Sequence, residues 1–174
     1  YGMRTFTDLF TPRQLVALTT FSDLVSESRA RVLADGGAPG YADAIATYLG
    51  MGVSRYSNFM NALCQWRPDA GKEQGGHLFT RQAIPMIWDF AEANPFSNSA
   101  GGWGPAFQFI PKALENLPRG NVAAVGQHDA ATRTDAGLLI STDPPYYDNI
   151  GYSDLSDFFY VWLRRSLRDV HPEL

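Results

Sequence analysis

The residues best suited to chemistry in this sequence are Asp143-Pro144-Pro145-Tyr146, which follow the apolar run Leu138-Leu139-Ile140. The two prolines have no backbone N–H, so the turn offers carbonyl acceptors, and Asp143 adds a carboxylate acceptor beside them. Two acceptors on a stiff turn suit a donor with two hydrogens, such as the exocyclic amine of a nucleobase. Tyr146 offers a flat face on which that base can stack. Because accepting both hydrogens leaves the nitrogen lone pair free for attack, the pattern favours methylation of an amine.

A short buried strand is expected to position this loop. The apolar run Leu138–Ile140, ended by two prolines, predicts a strand that stops at Asp143. A second short strand is predicted at Asn121–Gly126, with the polar residues Gln127–Ala130 directly after it. Ligands of open α/β sheets bind at the carboxyl ends of strands, so both polar segments are candidates for a binding site.

The tetrapeptide resembles the catalytic motif of S-adenosylmethionine-dependent amino-methyltransferases, the N6-adenine DNA methylases foremost. The longer run Thr142–Arg165 is similar to a more particular group, the large bacterial adenine-specific DNA methylases that often carry a zinc ribbon. The resemblance implies methyl transfer from S-adenosylmethionine to the N6 amine of adenine in DNA, with the base flipped out of its stack. It assigns Asp143 and the carbonyl of Pro144 to holding the amine, and Tyr146 to stacking on the base. The residues that follow and are expected to line the base pocket are Tyr147, Asn149 and Tyr152.

Two further segments resemble cofactor-binding elements of the same family. Phe10-Thr11-Pro12 opens a motif similar to the one that lies against the methionine end of the cofactor, where a helix N-terminus offers N–H groups and a positive dipole end. Asp129 corresponds to the acidic residue that approaches the adenine amine of the cofactor. An ordinary capped helix and a turn-forming aspartate remain the alternatives for these two segments. The sequence indicates no metal site, because its histidines and its one cysteine are isolated from one another: His77, His128, His171 and Cys64.

The first two-thirds of the chain are predicted to be mainly helical. Thr11 as N-cap and Pro12 at the first helical position predict a helix that runs to about Leu33. Three later helices and two loops are predicted from apolar spacing and from glycine and proline content. The helices are Tyr41–Leu63 (kinked at Gly50 and Gly52), Phe79–Ala93 and Ala106–Leu117, and the loops are Arg67–Gly76 and Asn94–Pro105. After the tetrapeptide, Asp154–Asp169 predicts an amphipathic helix capped by Ser153.

These elements predict an α/β fold, namely a partial Rossmann-like methyltransferase domain with short parallel strands in its last third. We expect 1–174 to be a single domain, helical over 1–117 and catalytic over 118–174. The glycine-rich loop that this family places after its first strand is missing from the sequence. The resemblance therefore implies that the main cofactor cradle lies in the rest of a larger parent polypeptide, and that this fragment alone is inactive.

Composition limits the classes of protein and partner. The chain has 174 residues, of which 45% are hydrophobic and 18% charged, as in an ordinary globular protein. Without a long apolar run, a signal peptide or a second cysteine, the expected location is the cytoplasm, with no membrane partner. The formal charge of −4 argues against a general nucleic-acid surface, so binding of DNA is expected to need other parts of the parent.

Two alternatives stay open at this point. An RNA guanine-N2 methyltransferase would use the same loop on a different exocyclic amine. A non-catalytic module derived from a methylase, which binds nucleic acid or a protein partner, would account for the acidic charge and the missing glycine-rich loop.

Overall fold

The structure is a computed structural model that describes residues 2–69, 72–118, 120, 123–134 and 136–173. Most of the regular structure in these ranges is helical, and a single hairpin of two short strands lies between the second and third helices. The elements in chain order are a 3₁₀ helix (Phe6–Leu9), α1 (Pro12–Ala34), α2 (Pro39–Ser57), β1 (Trp66–Asp69), β2 (Lys72–Gly75), α3 (Trp103–Phe107), α4 (Phe109–Asn116) and α5 (Tyr152–Leu167).

Helix α1 begins where the sequence predicts. The backbone N–H of Thr11 donates to Oε1 of Gln14 at 2.8 Å, and the N–H of Gln14 donates back to Oγ1 of Thr11 at 3.3 Å. This reciprocal capping box satisfies two N–H groups that a helix start otherwise leaves unpaired, and Pro12 occupies the first helical position. The prediction of a helix from Thr11-Pro12 is confirmed, and the helix ends at Ala34, one residue beyond Leu33.

Helix α2 packs against α5 and α3 through residues without side chains. A Cβ added at Gly50 would lie 2.8 Å from Cδ2 of Leu167 in α5, and one added at Gly52 would lie 2.3 Å from Cζ of Phe107 in α3. The two glycines therefore permit close approach of neighbouring elements, a role that the predicted kink did not anticipate. The helix ends at Ser57, so its predicted extension to Leu63 is wrong.

The core is a cluster of aromatic and aliphatic side chains between α1, α2 and α5. Phe10, just before α1, stacks on Phe158 at 5.8 Å and meets the edge of Trp162 at 5.3 Å between ring centroids. Within α1, Phe21 stacks on Trp103 of α3 at 3.7 Å between ring centroids. The contacts of Phe10 anchor α5 to the start of α1, although α5 is distant from it in sequence.

Two further helices differ from the predictions. Helix α5 begins at Tyr152 with Gly151 as its N-cap, two residues before the predicted start, and Ser153 does not cap it. The single helix predicted at Ala106–Leu117 is divided into α3 and α4, which meet at Gln108.

The predicted α/β fold is wrong for the described residues. Strands β1 and β2 pair antiparallel, with Trp66 opposite Gly75, in a segment that we predicted to be a loop. No parallel strands occur in the described ranges, so these residues form no Rossmann-like sheet. Leu138–Ile140 and the described part of the other predicted strand, Ala123–Gly126, belong to no sheet. An apolar run becomes a strand only when another strand pairs with its N–H and C=O groups, and these runs have no such neighbour here. Asn121 and Val122 lie outside the described residues.

The helix predicted at Phe79–Ala93 is also wrong. The N–H of Phe79 donates to Oδ1 of Asn58 at 3.0 Å, and the N–H of Ala91 donates to the carbonyl of Cys64 at 2.7 Å. Both ends of the segment are thus held by distant residues, and Pro85 removes a donor from its middle. Long-range hydrogen bonds outweigh the helical spacing of Ile84 and Ile87.

Candidate functional site

The loop that carries the predicted catalytic residues Asp143–Tyr146 lies on the surface directly before α5. The N–H of Tyr147 donates to the carbonyl of Pro145 at 2.9 Å, and the N–H of Asn149 donates to the carbonyl of Tyr146 at 3.2 Å. Tyr147 has a positive φ of 56°, in the left-handed region that a bulky residue seldom occupies. The chain therefore turns sharply just after the tetrapeptide.

Two hydrogen-bond acceptors of this loop are available to a ligand. Among the described residues, neither the carboxylate of Asp143 nor the carbonyl of Pro144 receives a hydrogen bond, whereas Pro145 uses its carbonyl within the turn. The side chain of Tyr146 is 70% exposed, so the face of its ring is open to a planar ligand.

The predicted base-pocket residues follow the tetrapeptide but do not enclose a cavity with it. Tyr147 and Asn149 lie in the turn, and Tyr152 is the first residue of α5. All three side chains are exposed. These residues form an open surface beside the loop.

A cleft of about 350 Å³ lies at the N-terminal end of α1, and we call it the N-terminal cleft. Its size is at the lower end of the range for small-molecule sites. Its wall combines charged, amide and apolar groups from three parts of the chain. The lining residues are Arg13, Gln14, Ala17, Met60, Glu92, Ala93, Asn94 and Pro95.

Gln14 is the most informative residue of the N-terminal cleft. The side chain is only 1% exposed, and its Oε1 is engaged by the N–H of Thr11. Its Nε2 is buried and has no hydrogen-bond partner among the described residues. A buried donor without a partner costs about 1–3 kcal/mol, so this position suits a ligand that brings an acceptor.

A carboxylate of the protein already lies at this helix end. One oxygen of Glu92 accepts from Oγ1 of Thr11 at 2.6 Å, and the other pairs with the guanidinium of Arg13 at 2.5 Å. The Thr11 hydrogen bond and, to a smaller extent, Arg13 lower the pKa of Glu92 below its ordinary value. An ionised carboxylate near a helix N-terminus is favourable because the helix dipole is positive there.

The predicted cofactor-binding residues lie in different surroundings in the structure. Phe10 is buried in the aromatic core and does not line the N-terminal cleft. Thr11 directs its hydroxyl to Glu92, and Pro12 is exposed at the first helical position. Asp129 accepts the N–H of Ala131 in a surface turn, as its turn-forming alternative predicts, and does not line the cleft.

Sequence reasoning missed the residues that line this cleft most directly. The spacing Thr11-x-x-Gln14 is a capping-box signature, so the position of Gln14 was recoverable from the sequence. Nothing local connects Glu92 to Arg13, which is 79 residues away. The sequence around Glu92 therefore gives no signal of this pairing.

Comparison with known proteins found no match. No protein-family model matches the chain, and neither a curated protein nor a solved structure matches it. Within the described residues, no group of His, Cys, Asp and Glu side chains is arranged to hold a metal ion. The described helices are also too short or too polar to cross a membrane.

Proposed function

We propose that this chain is the catalytic part of an S-adenosylmethionine-dependent DNA adenine N6-methyltransferase that acts in the cytoplasm. The observation that carries the proposal is that the carboxylate of Asp143 and the carbonyl of Pro144, next to the exposed ring of Tyr146, accept no hydrogen bond from any described residue. A primary amine attached to a planar ring matches this set in donors and in shape.

The residues of the loop would bind and orient the target base. Asp143 and the carbonyl of Pro144 accept the two hydrogens of the amine, so its lone pair points away from them. Stacking on Tyr146 contributes about 1–3 kcal/mol and holds a base that has been flipped out of the duplex. After attack the methylated amine is positively charged and releases a proton to water at this exposed loop, and Asp143 orients that N–H without having to be a strong base.

The N-terminal cleft is proposed to bind the methionine end of the cofactor. The unpaired Nε2 of Gln14 and the guanidinium of Arg13 suit the carboxylate of an amino acid, and Glu92 suits its ammonium group. Met60, which is buried, offers an apolar contact for the chain of the methionine. S-adenosylmethionine supplies an electrophilic methyl group when it is bound. We assign no lining residue of this cleft to the adenosine part of the cofactor.

The rest of the parent polypeptide is proposed to supply the adenosine site. Val125 and Leu139 are both completely exposed, in two apolar runs of the segment between α4 and α5. Exposed apolar patches commonly mark surfaces that bind another part of a protein or a partner. Contact with the rest of the parent would bury these runs and bring the loop toward the cofactor.

Transfer of labelled methyl from S-adenosylmethionine by the full-length parent tests the proposal. DNA and RNA are offered side by side to the unaltered protein, to Asp143→Ala and to the control Asp157→Ala, which removes an exposed carboxylate from α5. We expect label on DNA adenine that is lost in Asp143→Ala and kept in Asp157→Ala. Because Asp143 is exposed, its loss is expected to change stability by no more than about 0.5 kcal/mol.

The other outcomes of that experiment identify the alternatives. Label on RNA guanine would establish the guanine-N2 reaction instead. Absence of label from every substrate, while the parent binds cofactor, would establish the non-catalytic module. Calorimetric titration of cofactor into Gln14→Leu tests the N-terminal cleft separately, and an unchanged Kd would remove Gln14 from the cofactor site.

A further inference from the structure

A second cleft lies between the segment after β2 and the first half of α5. Its volume is about 570 Å³, and we call it the aromatic cleft. It is lined by Phe79, Thr80, Arg81, Gln82, Leu155 and Phe159. No residue of this set belongs to the N-terminal cleft.

The floor of the aromatic cleft is a fixed group of aromatic rings. Phe79 lies 5.2 Å from both Phe158 and Phe159, measured between ring centroids. The backbone of Phe79 is held by the side chain of Asn58, and Phe158 is buried in the core. Phe79 and Phe159 are only partly buried, so their rings are accessible to a ligand. Because packing already fixes these rings, binding would cost little side-chain entropy.

The rim of the cleft is polar and carries a positive charge. Thr80, Arg81 and Gln82 are all exposed. Within the described part of the chain, no carboxylate pairs with the guanidinium of Arg81. Arginine binds phosphate through parallel N–H donors, and a glutamine amide can bond to the N6 and N7 edge of adenine. The acidic residues at the start of α5, Asp154 and Asp157, do not line the cleft.

The aromatic cleft lies on the same face of α5 as Tyr152 of the candidate base site. Tyr152, Leu155 and Phe159 are spaced three and four residues apart, so they follow one face of the helix. At about 1.5 Å per residue, Leu155 is about 4.5 Å along the axis from Tyr152, and Phe159 is about 10 Å from it. Neighbouring nucleotides of one strand are separated by about 3.4 Å when stacked and by more when unstacked. A base held beside Tyr152 would therefore place the next nucleotide near the cleft.

We propose that the aromatic cleft binds the nucleotide adjacent to the target adenine in DNA. Its base lies against Phe79 and Phe159, Gln82 reads the edge of that base, and Arg81 contacts its phosphate. The inference rests on the proposed function, and it makes this cleft a determinant of sequence context, since enzymes that flip a base select context through the flanking nucleotides.

Binding of labelled single-stranded oligonucleotides to the full-length parent tests the inference. Each oligonucleotide has 12 nucleotides with one central target adenine, and the base next to it is varied. Fluorescence anisotropy at several salt concentrations is measured for Arg81→Ala, Gln82→Ala and the control Arg164→Ala, which removes an exposed arginine from the part of α5 beyond the cleft.

Arg81→Ala is expected to weaken binding of every oligonucleotide by roughly 5- to 10-fold and to reduce the slope of log K against log salt by about 0.7, the value for one phosphate contact on a single strand. Gln82→Ala is expected to reduce the preference for adenine at the neighbouring position by roughly 5-fold or more. Arg164→Ala should remain within about 2-fold of the unaltered protein, because Arg164 lies beyond the cleft and its loss removes no phosphate contact there.

Equal behaviour of Arg81→Ala and Arg164→Ala would overturn the inference, as would failure of the unaltered parent to bind any oligonucleotide. Loss of methyl transfer in Asp143→Ala, combined with such a result, would leave the proposed function intact. Conversely, binding that depends on Arg81 without transfer to any substrate would keep the nucleotide site and refute the reaction.

Discussion

The close packing of α2 predicts opposite effects for one substitution made at two positions of the same helix. Gly52→Ala would place a Cβ 2.3 Å from Cζ and 2.4 Å from Cε2 of Phe107. Gly40→Ala, in the first turn, would place its Cβ in open space, with no atom within 4 Å. Both substitutions gain the helix preference of alanine over glycine, so Gly40→Ala serves as the matched control.

The magnitudes follow from these contacts. At Gly40 the free energy of unfolding should rise by about 0.4–1 kcal/mol, because alanine restricts the unfolded chain. At Gly52 the Phe107 ring must move by about 1 Å to reach ordinary van der Waals distance, and overpacking of this kind costs about 1–3 kcal/mol. The difference between the two variants, in which the gain from alanine cancels, is therefore about 1–3 kcal/mol.

Urea denaturation followed by circular dichroism measures this difference. The double variant Gly52→Ala with Phe107→Leu should recover part of the loss, because the smaller side chain vacates the space that the new methyl group needs. The packing of α2 against α3 would be refuted if Gly52→Ala and Gly40→Ala were equally stable. A change in the denaturant slope would instead show that the unfolded or native state had changed in compactness.

Three further predictions concern single buried or paired groups. Burial raises the pKa of the Cys64 thiol to about 11, so iodoacetamide at pH 8 should label Cys64 only in urea, and rapid labelling of the native protein would contradict its burial. The lowered pKa of Glu92 means that its contribution to stability is present above pH 4.5, its ordinary value, and is lost as the pH falls through the lower folded pKa. Glu92→Gln should thus be less stable than the unaltered protein at pH 7, and the difference should shrink as the pH falls through the folded pKa of Glu92, which thermal unfolding at a series of pH values measures. Tyr56→Phe removes a buried hydroxyl that lacks a partner among the described residues, so the free energy of unfolding should rise by about 1 kcal/mol, and a loss of 1 kcal/mol or more in urea denaturation would reveal a hydrogen bond to that hydroxyl.

The features that depend on nearby residues could be predicted from the sequence. Thr11, Pro12 and Gln14 determine the start of α1 through contacts within four residues, and the helix begins as predicted. The apolar spacing of Phe158 and Trp162 likewise predicted α5, whose buried face meets the core. The acceptors of Asp143 and Pro144 are a property of residue type, and they too could be predicted.

What escaped prediction depends on distant partners. Ala91 uses its N–H on the carbonyl of Cys64, so a segment with helical spacing is not a helix. Leu138–Ile140 has the composition of a buried strand, but composition does not supply the neighbouring strand that would bury it. The pairing of Glu92 with Arg13 joins residues far apart in the chain and brings a carboxylate to the N-terminal cleft. No sequence motif predicts this pairing.

The chain leaves the helical body after α4 and returns to it only at α5. The described residues between these two helices are almost all exposed, whereas Phe158, Trp162 and Leu167 hold α5 firmly in the core. The entropy of closing a loop grows slowly, by only about 0.6 kcal/mol for each doubling of its length. The connection can therefore be lengthened ahead of Asp143 at little cost to the helices, even by an entire inserted domain. In evolutionary terms, the part of this connection that precedes Asp143 can vary in sequence and size while the helical body and the Asp143–Tyr146 loop stay the same.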